Sequence, residues 1–236
     1  MYNEGKEDYA QVFAQITKRD GSFIMAREPD EDFSYDKLAG KHILAGRKGG
    51  VPCMTLEYVL KQHGISTSDL EFDTSVEFGL MAGAFAGGTG DYTTMFEPTA
   101  TMMEQEGSGY IVASVGQDSG EIPYTAYFTL KSYIDENGET VQKFTNAIAK
   151  AQKWLDEAEP KEIAETIAEF FPDTDLEVLE KVAARYQEID AWMSEPFMTE
   201  DSFNRLQDVM EGAGELSSRA PYDKLVNNSF AEKAVK

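Results

Sequence analysis

The sequence predicts an α/β fold. Three observations predict it: short β-type runs through the first half, helical stretches between several of those runs, and one-sided amphipathic helices through the second half.

The β-type runs are QVFAQI from Gln11 to Ile16, SFIMAR from Ser22, HILAG from His42, LEFD from Leu70, YTTMF from Tyr92, YIVAS from Tyr110 and YTAYFTL from Tyr124. A helix from Cys53 to His63 follows Pro52 and stops at Gly64. Thr74 with Glu77 reads as a capping box opening a helix to about Ala86, and a third helix runs from Pro98 to Glu106, stopped by Gly107. Strands alternating with helices of this length call for parallel pairing through right-handed crossovers, in a sheet covered on both faces. Beyond Leu130, Val141, Phe144, Ile148, Ala151 and Leu155 recur at helical steps, as do Leu179, Val182, Ala183, Tyr186 and Ile189 after a second capping box at Thr174 and Glu177. Phe203, Leu206, Val209 and Met210 form a last stripe, ending at Gly212 and Gly214. The segment PDEDFSYD, from Pro29 to Asp36, reads as an exposed connection.

The 236 residues suffice for one large domain or two small lobes, and 42% are hydrophobic, so a packed core is within reach. Lys and Arg number 21 against 43 Asp and Glu, a net charge of −22 that favours solubility and repels nucleic acid and anionic membranes. No nucleic-acid partner is expected, and no run is long enough to span a membrane. One cysteine, Cys53, rules out an internal disulfide, and two histidines, His42 and His63, fit no metal-ligand spacing, so neither a metal nor a cofactor is expected. The opening residues MYNEGKEDYA lack the basic-then-apolar pattern of a secretion signal, which as written predicts a cytoplasmic chain.

Few stretches suggest chemistry. AGRKGGVP, Ala45 to Pro52, has the order strand, glycine turn, helix, in which free backbone N–H groups and the positive helix end face an anion and Arg47 and Lys48 reinforce it. It reads equally as a tight turn with both cations in solvent, and it is neither a Walker loop nor GxGxxG. In GAFAGGTGDYTTMFEPT, Phe96-Glu97-Pro98 falls where a strand yields to a helix, a place where α/β sheets collect ligands, although Phe96 as core and Glu97 as a favourable helix-end charge explain it too. TKRDGSF, Thr17 to Phe23, carries an Asp20-Gly21 hairpin signal. Tyr124 and Tyr127 read as ligand-facing or as ordinary strand residues, and no catalytic triad or dyad emerges, so no enzyme is expected.

TKRDGSF, LAGKHILAGRKGGVP, GAFAGGTGDYTTMFEPTA, GYIVASVG, IPYTAYF and APYDKLVNNSF together resemble the substrate-binding proteins of ABC importers, in the branch handling alkanesulfonates, taurine, nitrate and thiamine pyrimidine precursors. The resemblance implies a two-lobed, periplasmic-binding-protein-like type II fold, with 1–37 an early part of lobe one, 38–122 lobe two and 123–236 a return to lobe one. It also implies that the first lobe is N-terminally truncated, because family members begin with a signal peptide and two further strand-helix units. The implied function is solute binding in an interlobe cleft that closes on a small polar or anionic molecule, with an ABC permease and ATPase as partners and an extracytoplasmic location. It places Arg47, Lys48, Gly49, Gly50, Phe96, Glu97, Ser22 and Tyr124 near the ligand. The alternatives are a shortened cytoplasmic sensor or inactive fragment, and, less favoured, a pyrimidine-synthase-like enzyme, whose cysteine-rich run and histidines are missing here.

Overall fold

A computed structural model describes all residues, 1–236. The chain divides into two compact units, each assembled from separated segments. Unit 1 joins Met1–Arg19, Glu121–Glu159 and Asp190–Lys236, while unit 2 joins Asp20–Gly120 and Pro160–Ile189. Unit 2 thus takes in residues 20–37 and 160–189 beside 38–120.

The strands are β1 (Ala10–Gln15), β2 (Ser22–Ala26), β3 (His42–Leu44), β4 (Glu71–Asp73), β5 (Tyr92–Phe96), β6 (Tyr110–Ser114) and β7 (Ala126–Leu130). The helices are α1 (Val51–Gln62), α2 (Met81–Ala86), α3 (Thr99–Glu106), α4 (Val115–Ser119), α5 (Lys131–Glu157), α6 (Pro160–Ile167), α7 (Leu176–Glu188), α8 (Glu200–Gly212), α9 (Tyr222–Leu225) and α10 (Ser229–Ala234).

Unit 2 is built on a five-stranded sheet of order β4-β3-β5-β2-β6. β3 pairs in parallel with β4 and β5, but β2 runs antiparallel to both β5 and β6, so the sheet is mixed and not the all-parallel one expected. The reason is connectivity. β2 enters from a segment of the other unit, so no helical crossover fixes its direction. For the same reason Asp20-Gly21 closes no hairpin: β1 pairs with β7 and β2 with β5 and β6.

One face of this sheet is closed by Ile24, Leu38, Ile43, Leu56, Leu60 and Val115, all fully buried. Tyr35 and Phe33 join that cluster, so the stretch expected to be an exposed connection supplies core instead. Met25, one residue along β2 from Ile24, points to the opposite face. There a Cβ on Gly109 would come within 3.0 Å of Phe85 and 3.4 Å of Met25, so the glycine admits close packing. At the start of β2 the approach is tighter still: a Cβ on Gly116 in α4 would lie 1.8 Å from the Asp20 carbonyl oxygen.

Two predicted helix starts move. Thr74 opens no helix, because Asp73 Oδ1 accepts from the Ser75 backbone (2.7 Å) and hydroxyl (2.6 Å), closing a turn before a 3-10 turn at Phe78–Leu80 and α2. Asp175, not Thr174, is the N-cap of α7, and no side-chain cap bond forms.

Unit 1 pairs β1 with β7 in an antiparallel two-stranded sheet, with an irregularity between Val12 and Ala14. Phe13, Ala14, Ile134, Val141 and Phe230 pack together, and Met198, Phe203 and Val226 form a second cluster. α5 is turned from its expected stripe: Val141, Thr145, Ala149 and Gln152 are buried, while Phe144 is 42% exposed. Polar side chains can take that face because Thr145 Oγ1 donates to the Val141 carbonyl and Gln152 Nε2 donates to the Gln15 carbonyl, both at 2.8 Å. β7 leaves Tyr127 43% and Phe128 66% exposed on an edge strand, a surface prone to pair with other chains.

These two environments predict opposite responses. Phe128→Lys is expected to move the melting temperature by no more than about 2 °C and to lower concentration-dependent light scattering. Ile134→Ala, in the buried cluster beside β7, is expected to lose about 2–4 kcal/mol in urea denaturation. A large destabilisation by the lysine would show that Phe128 is core after all.

Candidate functional site

At the ends of β3 and β5, two neighbouring parallel strands, the chain turns out of the sheet of unit 2 on the same side. After β3 come Arg47, Lys48, Gly49 and Gly50. Gly49 has φ 74°, a left-handed conformation that glycine adopts without strain, and the Gly50 N–H donates to the Arg47 carbonyl at 3.0 Å, closing the turn. Gly50 is then the N-cap of α1, with no side chain capping it and with Pro52 in the first turn, where a missing N–H costs nothing. Arg47 and Lys48 are exposed, and neither forms an ion pair, although 43 carboxylates are present in the chain. Cations elsewhere, Lys37 and Arg219 among them, are paired with carboxylates, whereas these two stand exposed beside the start of a twelve-residue helix, whose positive end adds to their charge.

After β5 come Phe96 and Glu97. Ser22 pairs with Phe96 across β2 and β5, so these two predicted residues are brought side by side. The Phe96 ring meets the 53%-exposed Phe78 ring edge-on at 5.7 Å, adding an aromatic group that sequence reasoning missed. Its signal was masked by the helix wrongly expected from Thr74.

Glu97 has a different part. Its side chain is wholly buried, Oε1 meets Arg185 at 2.5 Å and the Thr101 hydroxyl at 2.9 Å, and Oε2 accepts from the Thr101 N–H at 2.9 Å. Its carboxylate is thus fully engaged, capping α3 and holding α7. Arg185 also reaches Glu104 at 2.7 Å; burial works against its charge, but the two carboxylates together outweigh it and hold the guanidinium more firmly protonated. Next to it, the Tyr186 hydroxyl donates to the Gly21 carbonyl at 3.1 Å and accepts from the Glu97 N–H at 3.3 Å. Neither Arg185 nor Tyr186 stood out in sequence beyond an apolar stripe, because their partners lie more than eighty positions away.

Ser22 is also buried. Its hydroxyl makes a very short bond to Asp20 Oδ1, its N–H donates to the same oxygen at 2.9 Å, and Asp20 Oδ2 is buried without a partner. Burial pushes the Asp20 pKa up, against the opposing pull of the Ser22 bonds. The glycine run at 87–90 is explained within the fold: Arg27 donates to the carbonyls of Phe85, Thr89 and Gly90 and stacks over Phe85 at 4.3 Å. Tyr124 lies in unit 1, 39% exposed. No group of three metal-ligating side chains occurs, and no helix is long and apolar enough to cross a membrane.

Two outcomes follow from these contacts. Arg185→Ala strands a buried carboxylate and is expected to cost about 3–5 kcal/mol, with Glu97→Gln in the same chain restoring part of the loss in a double-mutant cycle. For Asp20, a raised folded pKa means that stability is fullest below the ordinary carboxylate pKa and is lost as pH rises through the folded value. Asp20→Asn keeps the acceptor for Ser22 but cannot ionise. The variant-minus-parent melting difference is therefore expected to grow from about pH 4 to pH 8, and a difference flat with pH would remove Asp20 as the titrating group.

Comparison with known proteins places this geometry. Residues 15–170 match the NMT1-like family. "Putative binding protein YtlA" of Bacillus subtilis (strain 168) is 43% identical over 231 residues, covering 98% of this chain and 69% of that protein. The solved alkanesulfonate-binding protein SsuA from Xanthomonas axonopodis pv. citri, bound to MOPS, superposes with a TM-score of 0.72 at 19% identity, over 93% of this chain and 74% of that one. The periplasmic nitrate-binding protein NrtA from Synechocystis PCC 6803 gives 0.68 at 18% identity, over 98% and 68%. At such identities these structures establish the fold, which is the type II periplasmic-binding-protein fold. On the strength of the family match and the 43%-identical relative, the chain belongs to the NMT1-like family.

Proposed function

We propose that the chain is a solute-binding component of an ABC import system, taking a small organic molecule with an anionic group such as a sulfonate. The observation that carries this reading is the pair of unpartnered cations, Arg47 and Lys48, at the glycine-capped start of α1 in a chain of net charge −22. Anions are otherwise repelled by such a chain, so a local positive spot with a free helix end is where one is received. Phe96, beside Phe78 at the same side of the sheet, supplies an apolar contact for the organic part, with Ser22 buried behind it. Glu97 takes no direct part, since its oxygens are engaged by Arg185 and Thr101. That removes the carboxylate that would have favoured a cationic heterocycle.

In this reading ligand-stabilised closure is the signal read by a membrane permease and its ATPase. The family's periplasmic members support an extracytoplasmic location. A thermal-shift screen against MOPS, taurine, nitrate and a thiamine pyrimidine tests the ligand class, because a ligand that binds only the folded state raises the transition. The sulfonates are expected to give a dose-dependent rise. Arg47→Ala with Lys48→Ala is expected to weaken that binding by about tenfold or more while changing the unliganded melting temperature by no more than about 2 °C. Unchanged affinity with a large loss of stability would make both cations structural.

A further inference from the structure

A cavity lies wholly within unit 2, and its chemistry is opposite to that of the strand-end residues. It has a volume of about 480 Å³, within the range of small-molecule pockets. β6 is the last strand of the sheet, bonded to β2 on one side only, and its residues Val112, Ala113 and Ser114 line the cavity. Three rings, those of Phe33, Tyr35 and His63, are among its lining. Tyr35 and His63 stack with centroids 4.2 Å apart and planes 20° from parallel, and Phe33 meets Tyr35 edge-on at 5.6 Å.

Two carboxylates, Asp36 and Asp118, line this space, and no lysine or arginine does. Lys37, the cation next in sequence, is taken up by Asp30, with its ammonium 2.7 Å from Asp30 Oδ2. Asp118 accepts from the Tyr35 hydroxyl at 2.5 Å and forms no ion pair. Burial and that bond push the Tyr35 pKa up, so the phenol keeps its proton and leaves the charge of Asp118 unneutralised. Negative charge without a cationic partner beside aromatic rings suits a protonated amine: the charge meets Asp118, and the rings favour a cation.

We propose that this cavity is a binding site for a small organic ammonium ion, with the ammonium group on Asp118 and an apolar stem against Phe33 and Val112. It is separate from the anion reading of Arg47 and Lys48 and stands or falls independently of it.

The test is an amide NMR titration of the ¹⁵N-labelled full chain with n-butylammonium chloride at physiological salt, with 1-butanol as the neutral control of the same shape. Saturable shifts are expected at Tyr35, His63, Val112 and Gln117 with the amine and not with the alcohol. Asp118→Asn still accepts from Tyr35 and is expected to weaken binding at least fivefold. Asp36→Asn, an exposed change that is safe for folding, is expected to weaken it by a smaller factor. Asp201→Asn, an exposed acid on α8 in unit 1, is expected to leave it unchanged. Shifts scattered over the acidic helices, or equal losses for Asp201→Asn and Asp118→Asn, would reduce the effect to general attraction of cations by an acidic protein and overturn the site. An equal response to butanol would overturn it too, by showing that the charge is irrelevant.

Discussion

The buried carboxylate of Glu97 is the constraint on which unit 2 depends. A charge with no exposed surface must be matched inside, and here it is matched from three directions: the Arg185 guanidinium, the Thr101 hydroxyl and the Thr101 N–H. The first of these belongs to α7, the second and third to α3. A single side chain thereby fixes the exit of β5, the start of α3 and the place of the α6–α7 pair, which arrives from the far side of a long excursion through unit 1. Tyr186 reinforces the same junction through Gly21 and Glu97. Apolar packing alone would leave α7 free to slide along the sheet; a matched charge allows one position.

That arrangement explains the contrast between the acid and the cations near the strand ends. Glu97 looked like a ligand group in the sequence because it sits at a strand-to-helix corner, and the corner is real. Its oxygens are engaged inward, however, whereas the cations at 47 and 48, in the turn after β3, are exposed and form no ion pair.

The strands were legible in the sequence because each is a short apolar run bounded by turn residues, and the parallel β3, β4 and β5 follow the predicted pattern. The direction of β2 was not legible, since a strand that enters from another unit carries no local mark of its orientation. α5 shows a different limit. Its stripe of Phe144, Ala151 and Leu155 competes with a face holding Thr145 and Gln152, and only the presence of acceptors on Val141 and Gln15 makes the polar face the buried one. At the candidate site, the glycine turn with Arg47 and Lys48 could be read locally, as could the adjacency of Phe96 and Glu97. Phe78, Arg185 and Tyr186 could not, because each acquires its role from a residue distant in sequence.

The interleaving of the two units has a consequence for the order in which the protein is made. During synthesis the first 120 residues can lay down the five-stranded sheet, but Glu97 waits for Arg185, which is translated after the whole of α5. Until then the Glu97 carboxylate is met by Thr101 alone, and the α6–α7 pair has not emerged. Unit 2 reaches its final form only after much of unit 1 has left the ribosome, so the two mature together and not one after the other.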